Sequence, residues 1–365
     1  MGSGSTGDPG NPRVGLLVGD GIGREIVPAA RDVVDAALAA VALPEVDWVP
    51  LPIGSDAIST YGTPTPEHTL VALADLDAWI LGPHDSASYP DPFRQQLTPG
   101  GAIRKRFDLY ANIRPARALP GVRAVSPHMD LVIVRENTEG FYADRNMFAG
   151  VGEFMPTPDV GLAVGVVTRA ACERIAHTAF RLAQQRRKRV TVVHKANVLS
   201  ITTGLFRDVC REMGRHYPDV DVDDAHVDAM AAHLVRRGED YDVIVTENMF
   251  GDILSDLAGE LSGSLGTAAS INASDTKVMA QAAHGAAPDI SGRNRANPTA
   301  MIMSAAMLLD WLAAVRHEPA LGTAAERIRG AVERTVASGV VTADLGGLAS
   351  TSEFTESVIA RVFRR

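Results

Sequence analysis

Five short apolar runs, each set among longer stretches with helical spacing, constrain this chain more than any other feature. VGLLV (14–18) leads into IVPAARDVVDAALAAV (26–41), and DAWILGP (77–83), DLVIVREN (130–137), VTVVHKAN (190–197) and YDVIVTEN (241–248) recur on the same plan. Apolar runs of this length read as buried strands, and their alternation with amphipathic helices predicts an α/β protein. In RAACERIAHTAFRLAQ (169–184) the stripe Cys172, Ile175, Ala176, Ala179 and Phe180 marks one helix face; Phe206, Val209, Cys210 and Met213 mark another. A chain of 365 residues buries roughly three quarters of the surface it exposes when unfolded, enough for two domains. The Gly/Pro/Ala-rich stretches 262–274 and 283–298 read as loops, long ones of the kind that carry function. Beyond residue 313 an Ala- and Arg-rich helix and a Gly-Gly stretch are expected to close the first domain.

Several classes of function are disfavoured. The net charge of −9 gives no general attraction to nucleic acid or to an anionic membrane. No apolar stretch approaches the roughly 18 or more residues of a membrane span, and the start, MGSGSTGDPGNPR, lacks the apolar core of a signal peptide. Residues 1–12 are read as a disordered tail. The two cysteines, Cys172 and Cys210, fall at apolar helix positions and read as packed thiols, which fits a cytoplasmic protein.

The first apolar run ends in GDGIGREI (19–26). The dinucleotide fingerprint needs Gly-x-Gly-x-x-Gly, but Arg24 stands where its third glycine should fall, so the loop reads equally as a tight strand-to-helix turn. A sharper signal is ENMFGDILSDLAGEL (247–261), where Asp252 and Asp256, four apart, project from one helix face. Like charges at that spacing cost a helix roughly 0.2–0.5 kcal/mol, so a cation is expected between them; the alternative is a helix-start carboxylate and a solvated neighbour. Asp228 offers a third hard oxygen ligand. Three carboxylates suit Mg²⁺ or Mn²⁺, whereas the nearby His226 and His233 lack the partners of a zinc site.

A cationic cluster comes from IRKRFDLYANIRP (103–115) and VIVRENTEGFY (132–142). Arg104, Arg114 and Arg135 would fit a polycarboxylic acid, while Lys105 and Arg106 read as surface charges. Lys195 closes an apolar strand, a placing that favours a lowered pKa and base chemistry, with a plain surface lysine as the alternative. Tyr142 is a candidate proton donor or a structural tyrosine.

In this order, GDGIGREI, IRKRFDLYANIRP, VRENTEGFY, HKANVL, VDAMAAHLV, NMFGDILSDLAGEL and HGAAPDISGRNRANP resemble the β-decarboxylating dehydrogenases. That family includes 3-isopropylmalate, isocitrate, homoisocitrate and tartrate/D-malate dehydrogenases, and the resemblance runs from about residue 14 to about residue 312. It implies an isopropylmalate dehydrogenase-like fold and not a Rossmann fold: a large mixed sheet in two α/β domains, 13–115 with 265–365 (cofactor-binding) and 116–264 (dimer interface and metal site). It also implies a homodimer with shared active sites, in which Lys195 and Asp228 face Asp252 and Asp256 of the other copy. Arg104, Arg114 and Arg135 would clamp a hydroxy-polycarboxylate, with Asn197 close to substrate and nicotinamide. Asp228, Asp252 and Asp256 would hold Mg²⁺ or Mn²⁺, Lys195 would act as base and Tyr142 as acid. The implied cofactor is NAD, held near Ile22 and by His284, Gly285, Ala286, Ala287, Pro288, Asp289, Ile290 and Asn297. The implied reaction is oxidation of a (2R)-hydroxy acid at C2 followed by loss of CO₂, with positive charge beside the developing negative charge as the main lever. A dehydrogenase that stops at oxidation and a non-catalytic paralogue of the fold are the alternatives.

Cofactor choice turns on Asp289, whose carboxylate can accept hydrogen bonds from ribose hydroxyls and repels a 2′-phosphate, although Arg293 and Arg295 stand near enough in sequence to offer a phosphate another partner. Two departures from the family's pattern stand out. Gln281, Ala282 and Ala283 replace the usual Glu-Pro-Val, and Thr98, Gly100 and Gly101 occupy the segment that in relatives reads the C3 substituent. Glycines offer neither an apolar wall nor a donor, so a substituent unlike isopropyl is expected, or one read by Arg94 or Ser86.

Overall fold

The computed structural model describes residues 11–142, 144 and 146–364. The expected tail lies outside the described residues except for Asn11 and Pro12; Pro12 is buried and accepts a hydrogen bond from the Asp47 amide. The chain opens with β1 (Arg13–Leu17), α1 (Gly23–Ala40), β2 (Asp47–Pro50), α2 (Ser55–Tyr61), α3 (Glu67–Ala74), β3 (Ala78–Leu81) and α4 (Pro99–Arg106). Thr98 caps α4 by accepting from the Gly101 amide, Pro99 fits its first turn, and three basic residues close it. Next come β4 (Ala111–Arg117), β5 (Asp130–Glu136), the hairpin β6 (Glu153–Thr157) and β7 (Val160–Ala163), then α5 (Arg169–Gln184), β8 (Arg189–His194) and α6 (Thr202–Gly214). The chain continues with β9 (Asp221–His226), α7 (Val227–Arg237), β10 (Val243–Thr246), α8 (Asn248–Ser262), β11 (Ile271–Ala273), β12 (Val278–Ala280), α9 (Thr299–Arg316), α10 (Pro319–Ala337) and α11 (Thr351–Val362).

Ten strands form one mixed sheet in the order β2-β1-β3-β12-β11-β4-β5-β10-β8-β9. Its outer parts are parallel; only β12, β11, β4 and β5 pair antiparallel, in the middle. The stretch 262–274 is thus not all loop, because Ile271–Ala273 inserts as β11, a strand too short to leave a periodic signature. One register row crosses the sheet through Asn272, Asn112, Arg135, Thr246 and Val193, placing polar side chains in line at its centre. The loops after β1, β5, β8 and β10 leave from the carboxyl ends of parallel strands, where open α/β sheets bind ligands.

Core residues fall into four clusters. Two draw on Val14–Leu119 and Ile271–Val362, with α1, α9, α10 and α11 packed together on one sheet face. The other two run from Tyr110 to Leu261. The two helical stripes anticipated at 169–184 and 204–213 are buried, Phe180 fully, and burying such a ring contributes about 2–3 kcal/mol. Cys172 and Cys210 are buried free thiols, and burial pushes Cys172 up to about 12. α9 corrects one expectation: by length and composition alone it qualifies as a membrane-crossing helix, yet Ala300, Met301, Ile302, Ala305, Leu308 and Leu309 of its length are buried in the first core.

Candidate active site

The site begins where β5 delivers Arg135, only 2% exposed, beside the first turn of α8. Asn248 Oδ1 accepts from Arg135 Nε at 2.9 Å and Nη2 at 2.7 Å, which fixes the guanidinium plane. Arg135 Nη1 then donates to Asp252 Oδ1, and the Tyr142 hydroxyl donates to Asp252 Oδ2. From the neighbouring strand β4, Arg114 donates through Nε to Asn112 Oδ1 at 2.6 Å and through Nη1 to Ser255 Oγ at 2.8 Å and Asp256 Oδ1 at 3.1 Å. Arg114 Nη1 also lies 3.2 Å from Asp252 Oδ1. The cation expected between the paired carboxylates is therefore present as arginine. Gly251 makes the approach work, since a Cβ there would fall 2.6 Å from the Arg135 Cγ.

Electrostatics separate the two aspartates. Burial raises Asp252, but Arg135, Arg114 and the Tyr142 hydrogen bond outweigh it and hold the carboxyl below its ordinary value; Arg104 adds to the same pull. Burial wins at Asp256, whose pKa is raised although Arg114 opposes it. Asp256 thus stands short of positive charge, and its side chain is 51% exposed.

Lys195 and Asp228 form a separate unit. Lys195 Nζ donates to Asp228 Oδ1 at 2.5 Å, and that hydrogen bond holds Asp228 below the usual carboxylate range. The turn beneath Lys195 is anchored by His194, which accepts from the Ala196 amide on Nδ1 at 3.0 Å and contacts Asp224 Oδ2 through Nε2 at 2.8 Å. Asn197 is exposed two residues later. Among the described residues no three His, Cys, Asp or Glu side chains converge to hold a metal within one chain, so Asp228 does not join Asp252 and Asp256 here. His226 packs edge-on against His194 and His233 pairs with the Tyr241 hydroxyl, which absorbs both without a zinc site.

A cavity of about 500 Å³ lies along the same helix. Ile22, His284, Gly285, Ala287, Ile290, Asn297 and Arg295 line it, with Glu260, two turns beyond Asp252, and Asp344. Ala286 is buried behind the wall, its carbonyl accepting from the Ile22 amide at 2.9 Å, while Pro288 and Asp289 are exposed. Gly21, at φ +53°, has no room for a side chain: a Cβ would meet the Ala286 oxygen at 2.0 Å. Gly21 therefore docks the β1–α1 turn on the 284–290 loop, while Gly19 and Gly23 pack against the backbone of Pro83 and Val18. His284 directs Nδ1 to the Gly285 carbonyl at 3.0 Å, and its buried Nε2 meets no partner among the described residues.

The chain matches the family model described as isocitrate/isopropylmalate dehydrogenase over residues 13–358. The chain belongs to the isocitrate/isopropylmalate dehydrogenase family. Within it, an isocitrate/homoisocitrate dehydrogenase of Thermus thermophilus is 44% identical, covering 95% of this chain and 97% of that protein. A 3-isopropylmalate dehydrogenase of Archaeoglobus fulgidus is 40% identical, covering 95% and 98%. The crystal structure of an isocitrate dehydrogenase from Methylococcus capsulatus superposes with a TM-score of 0.84 at 38% identity, over 97% of this chain and 100% of the other. This isocitrate/isopropylmalate dehydrogenase family member thus has the isopropylmalate dehydrogenase-like fold, and it is an oxidoreductase of the β-decarboxylating kind acting on small hydroxy acids.

Sequence reasoning missed the residues that hold the arginines. Asn248, Asn112 and Ser255 position Arg135 and Arg114, and Gln281 Oε1 accepts from Arg104 Nη2 at 2.8 Å. Asn248 had a signal, since it stands one helical turn before Asp252. The expected reader Arg94 is exposed and directs Nε to the Tyr89 carbonyl at 3.3 Å.

Glu247, the residue before α8, is buried, as is Glu136, whose charge acts on it. Burial, and secondarily Glu136, raise Glu247 from 4.5 to about 7, and its Oε1 meets no partner among the described residues. The folded state therefore binds a proton that the unfolded chain has released. This contribution, about 3 kcal/mol, is complete below pH 4.5 and is lost as pH rises through 7. Glu247→Gln should flatten the dependence of the urea midpoint on pH between 5 and 8; an unchanged slope would show that this carboxyl is ionised throughout.

Proposed function

We propose that this protein catalyses NAD-dependent, Mg²⁺- or Mn²⁺-dependent oxidative decarboxylation of a (2R)-hydroxy acid with a malate-like core. The observation that carries the reading is the cluster of Arg114, Arg135, Asp252, Asp256 and Tyr142 beside a cavity large enough for a nucleotide. Its donor set fits a hard divalent cation: two carboxylates one turn apart, one short of positive charge. The cavity fits a dinucleotide, with an unpartnered His284 Nε2 to accept from a ribose hydroxyl and Asp289 favouring a 2′-hydroxyl over a 2′-phosphate.

The nicotinamide would supply a hydride acceptor for C2 and the divalent ion would supply an electron-withdrawing charge beside the substrate oxygen. Arg104, Arg114 and Arg135 hold the substrate carboxylates, and the dense cationic wall orients the acid. Lys195 takes the hydroxyl proton, and Tyr142 returns a proton to the carbon that CO₂ leaves. Asp228 of one copy with Asp252 and Asp256 of the other would hold the ion, and Asn197 would lie close to the substrate.

This scheme needs a second copy, because Lys195 and Asp228 form a unit apart from Asp252 and Asp256. Support comes from the apolar surface around both units: Val198 and Ile201 beside Lys195, and Ile253 beside Asp252, are exposed. Among the described residues the β6–β7 hairpin pairs with no other strand, and it exposes Phe154, Met155 and Leu162. An isolated hairpin of this kind is marginal in water, so a homodimer is its natural setting. We read the chain as two domains, 13–115 with 265–365 and 116–264, meeting along the central antiparallel strands. A cytoplasmic location, with neither nucleic acid nor membrane as partner, completes the reading.

The test is NADH formation with Mn²⁺ and a panel of D-malate, tartrate, 3-isopropylmalate, isocitrate and homoisocitrate, alongside sedimentation of the same sample. Turnover of one acid, abolished by a chelator, in a dimeric protein is the expected result. NAD binding without turnover on any acid would replace this reading with a non-catalytic paralogue. Oxidation without CO₂ release would make it a tartrate-type dehydrogenase.

A further inference from the structure

We infer that the cavity between α5 and the α9–α10 pair, on the far face of the sheet from the arginine cluster, is a binding site for an aliphatic amino acid. The inference stands apart from the proposed function.

The strands place the cavity. Arg114 reaches Ser255 and Asp256 of α8 on one face of the sheet, so Ile113, Pro115 and Arg117, which alternate with it along β4, point to the other. Those three, with Val132 and Asp130 opposite Pro115 and Arg117 in the β4–β5 register, form the floor of a cavity of about 280 Å³. Leu182 and Arg186 of α5 make one wall and Met303, Met307 and Asp310 of α9 the other, with Arg329 of α10 paired to Asp310. That volume sits near the lower limit of small-molecule sites, roughly 300 Å³, so the occupant is small. Met303 and Met307 are half-buried, and their unbranched side chains adapt to an aliphatic guest.

The charged groups gather at one end. Arg117 lies opposite Asp130, and Arg117 Nη1 donates to Glu333 Oε1 at 2.8 Å. Arg329 stands one helical turn before Glu333, so its ion pair with Asp310 and the Arg186–Asp130 pair, at 2.8 Å, flank the same arginine. Each pair leaves one group with capacity to spare. Arg186 commits Nε to Asp242 and Nη2 to Asp130, and its Nη1 makes no hydrogen bond among the described residues. Asp310 is the counterpart: burial raises its carboxyl although Arg329 opposes, with Glu326 adding to the rise, and a further cation would relieve it. A carboxylate on Arg186, an ammonium on Asp310 and a hydrocarbon chain against Ile113, Val132 and the two methionines are the three parts of an aliphatic amino acid. An amine or a carboxylic acid alone would satisfy one wall and leave the other unmatched.

The experiment titrates L-norleucine into the full-length protein carrying isotope-labelled methionine methyls and follows them by NMR, with Met303→Leu and Met307→Leu assigning the two signals. Both signals should move, with a Kd of about 1 mM or tighter. Pentylamine, which lacks the carboxylate, and hexanoate, which lacks the ammonium, should each bind at least about tenfold more weakly. Alanine, shorter by three methylenes, should also lose at least about tenfold. Asp310→Asn should weaken norleucine about tenfold and leave hexanoate unchanged, and Met307→Phe, which fills the cavity, should remove binding. Methionine signals that stay in place up to about 10 mM norleucine, or that move only at methionines outside the cavity, would overturn the inference. So would equal losses of norleucine and hexanoate in Asp310→Asn, or an amine or acid that binds as tightly as the amino acid. Turnover is not read, so this result and the NADH assay stand or fall separately.

Discussion

An Asp252→Asn protein is expected to turn over at least about 10³-fold more slowly than the parent and to bind Mn²⁺ at least about tenfold more weakly. Asp252 touches Arg135, Arg114 and Tyr142 together. Asparagine keeps the volume and one acceptor but removes the negative charge that offsets two buried guanidinium groups. The fold should survive at a cost of about 1–3 kcal/mol, because Asn248 and Asn112 continue to hold both arginines. Turnover, manganese titration and a urea midpoint on one preparation separate these effects. A variant that stays fully active in the presence of a chelator would remove the metal from the scheme.

Lys195→Met should lower kcat by about 10²–10⁴-fold, the range for losing a positioned proton acceptor. Methionine keeps the apolar stem and loses the ammonium that Asp228 holds at 2.5 Å. The turn itself stays in place, since His194 fixes the Ala196 amide independently of the lysine side chain. NAD affinity should be unchanged, and small primary amines added to the assay should restore part of the rate. Full activity without the lysine would assign the proton transfer elsewhere; weakened NAD binding would make Lys195 a structural contact.

Much of this site is legible in the sequence because its residues sit where strand patterns end. The apolar runs 130–137 and 190–197 carry Arg135 and Lys195 at or just beyond their last strand residues, and the helices anticipated at 169–184 and 204–213 begin and end close to where periodicity places them. The paired aspartates of α8 declare themselves by spacing alone. What periodicity cannot convey is contact across sequence distance. Gln281 reaches Arg104 from 177 residues away, and β11, with three residues, has no pattern to read. The exposed β6–β7 hairpin escapes notice because strands that bury neither face within the chain lack the usual alternation. Glycine roles also need coordinates: GDGIG resembles a phosphate loop in composition, and only the structure shows that a Cβ on Gly21 would fall 2.0 Å from the Ala286 carbonyl oxygen.

The sheet order has a consequence for how the chain is made. β3 and β4 follow one another in sequence, yet β12 and β11 lie between them. During synthesis both strands keep an open edge until residue 280 has left the ribosome, and open edges invite mispairing. The stretch from Tyr110 to Leu261 has its own packed clusters and can collapse as it emerges. The amino-terminal segment must wait, half-assembled, for the last quarter of the polypeptide to arrive, which makes it the natural client for a chaperone in the meantime.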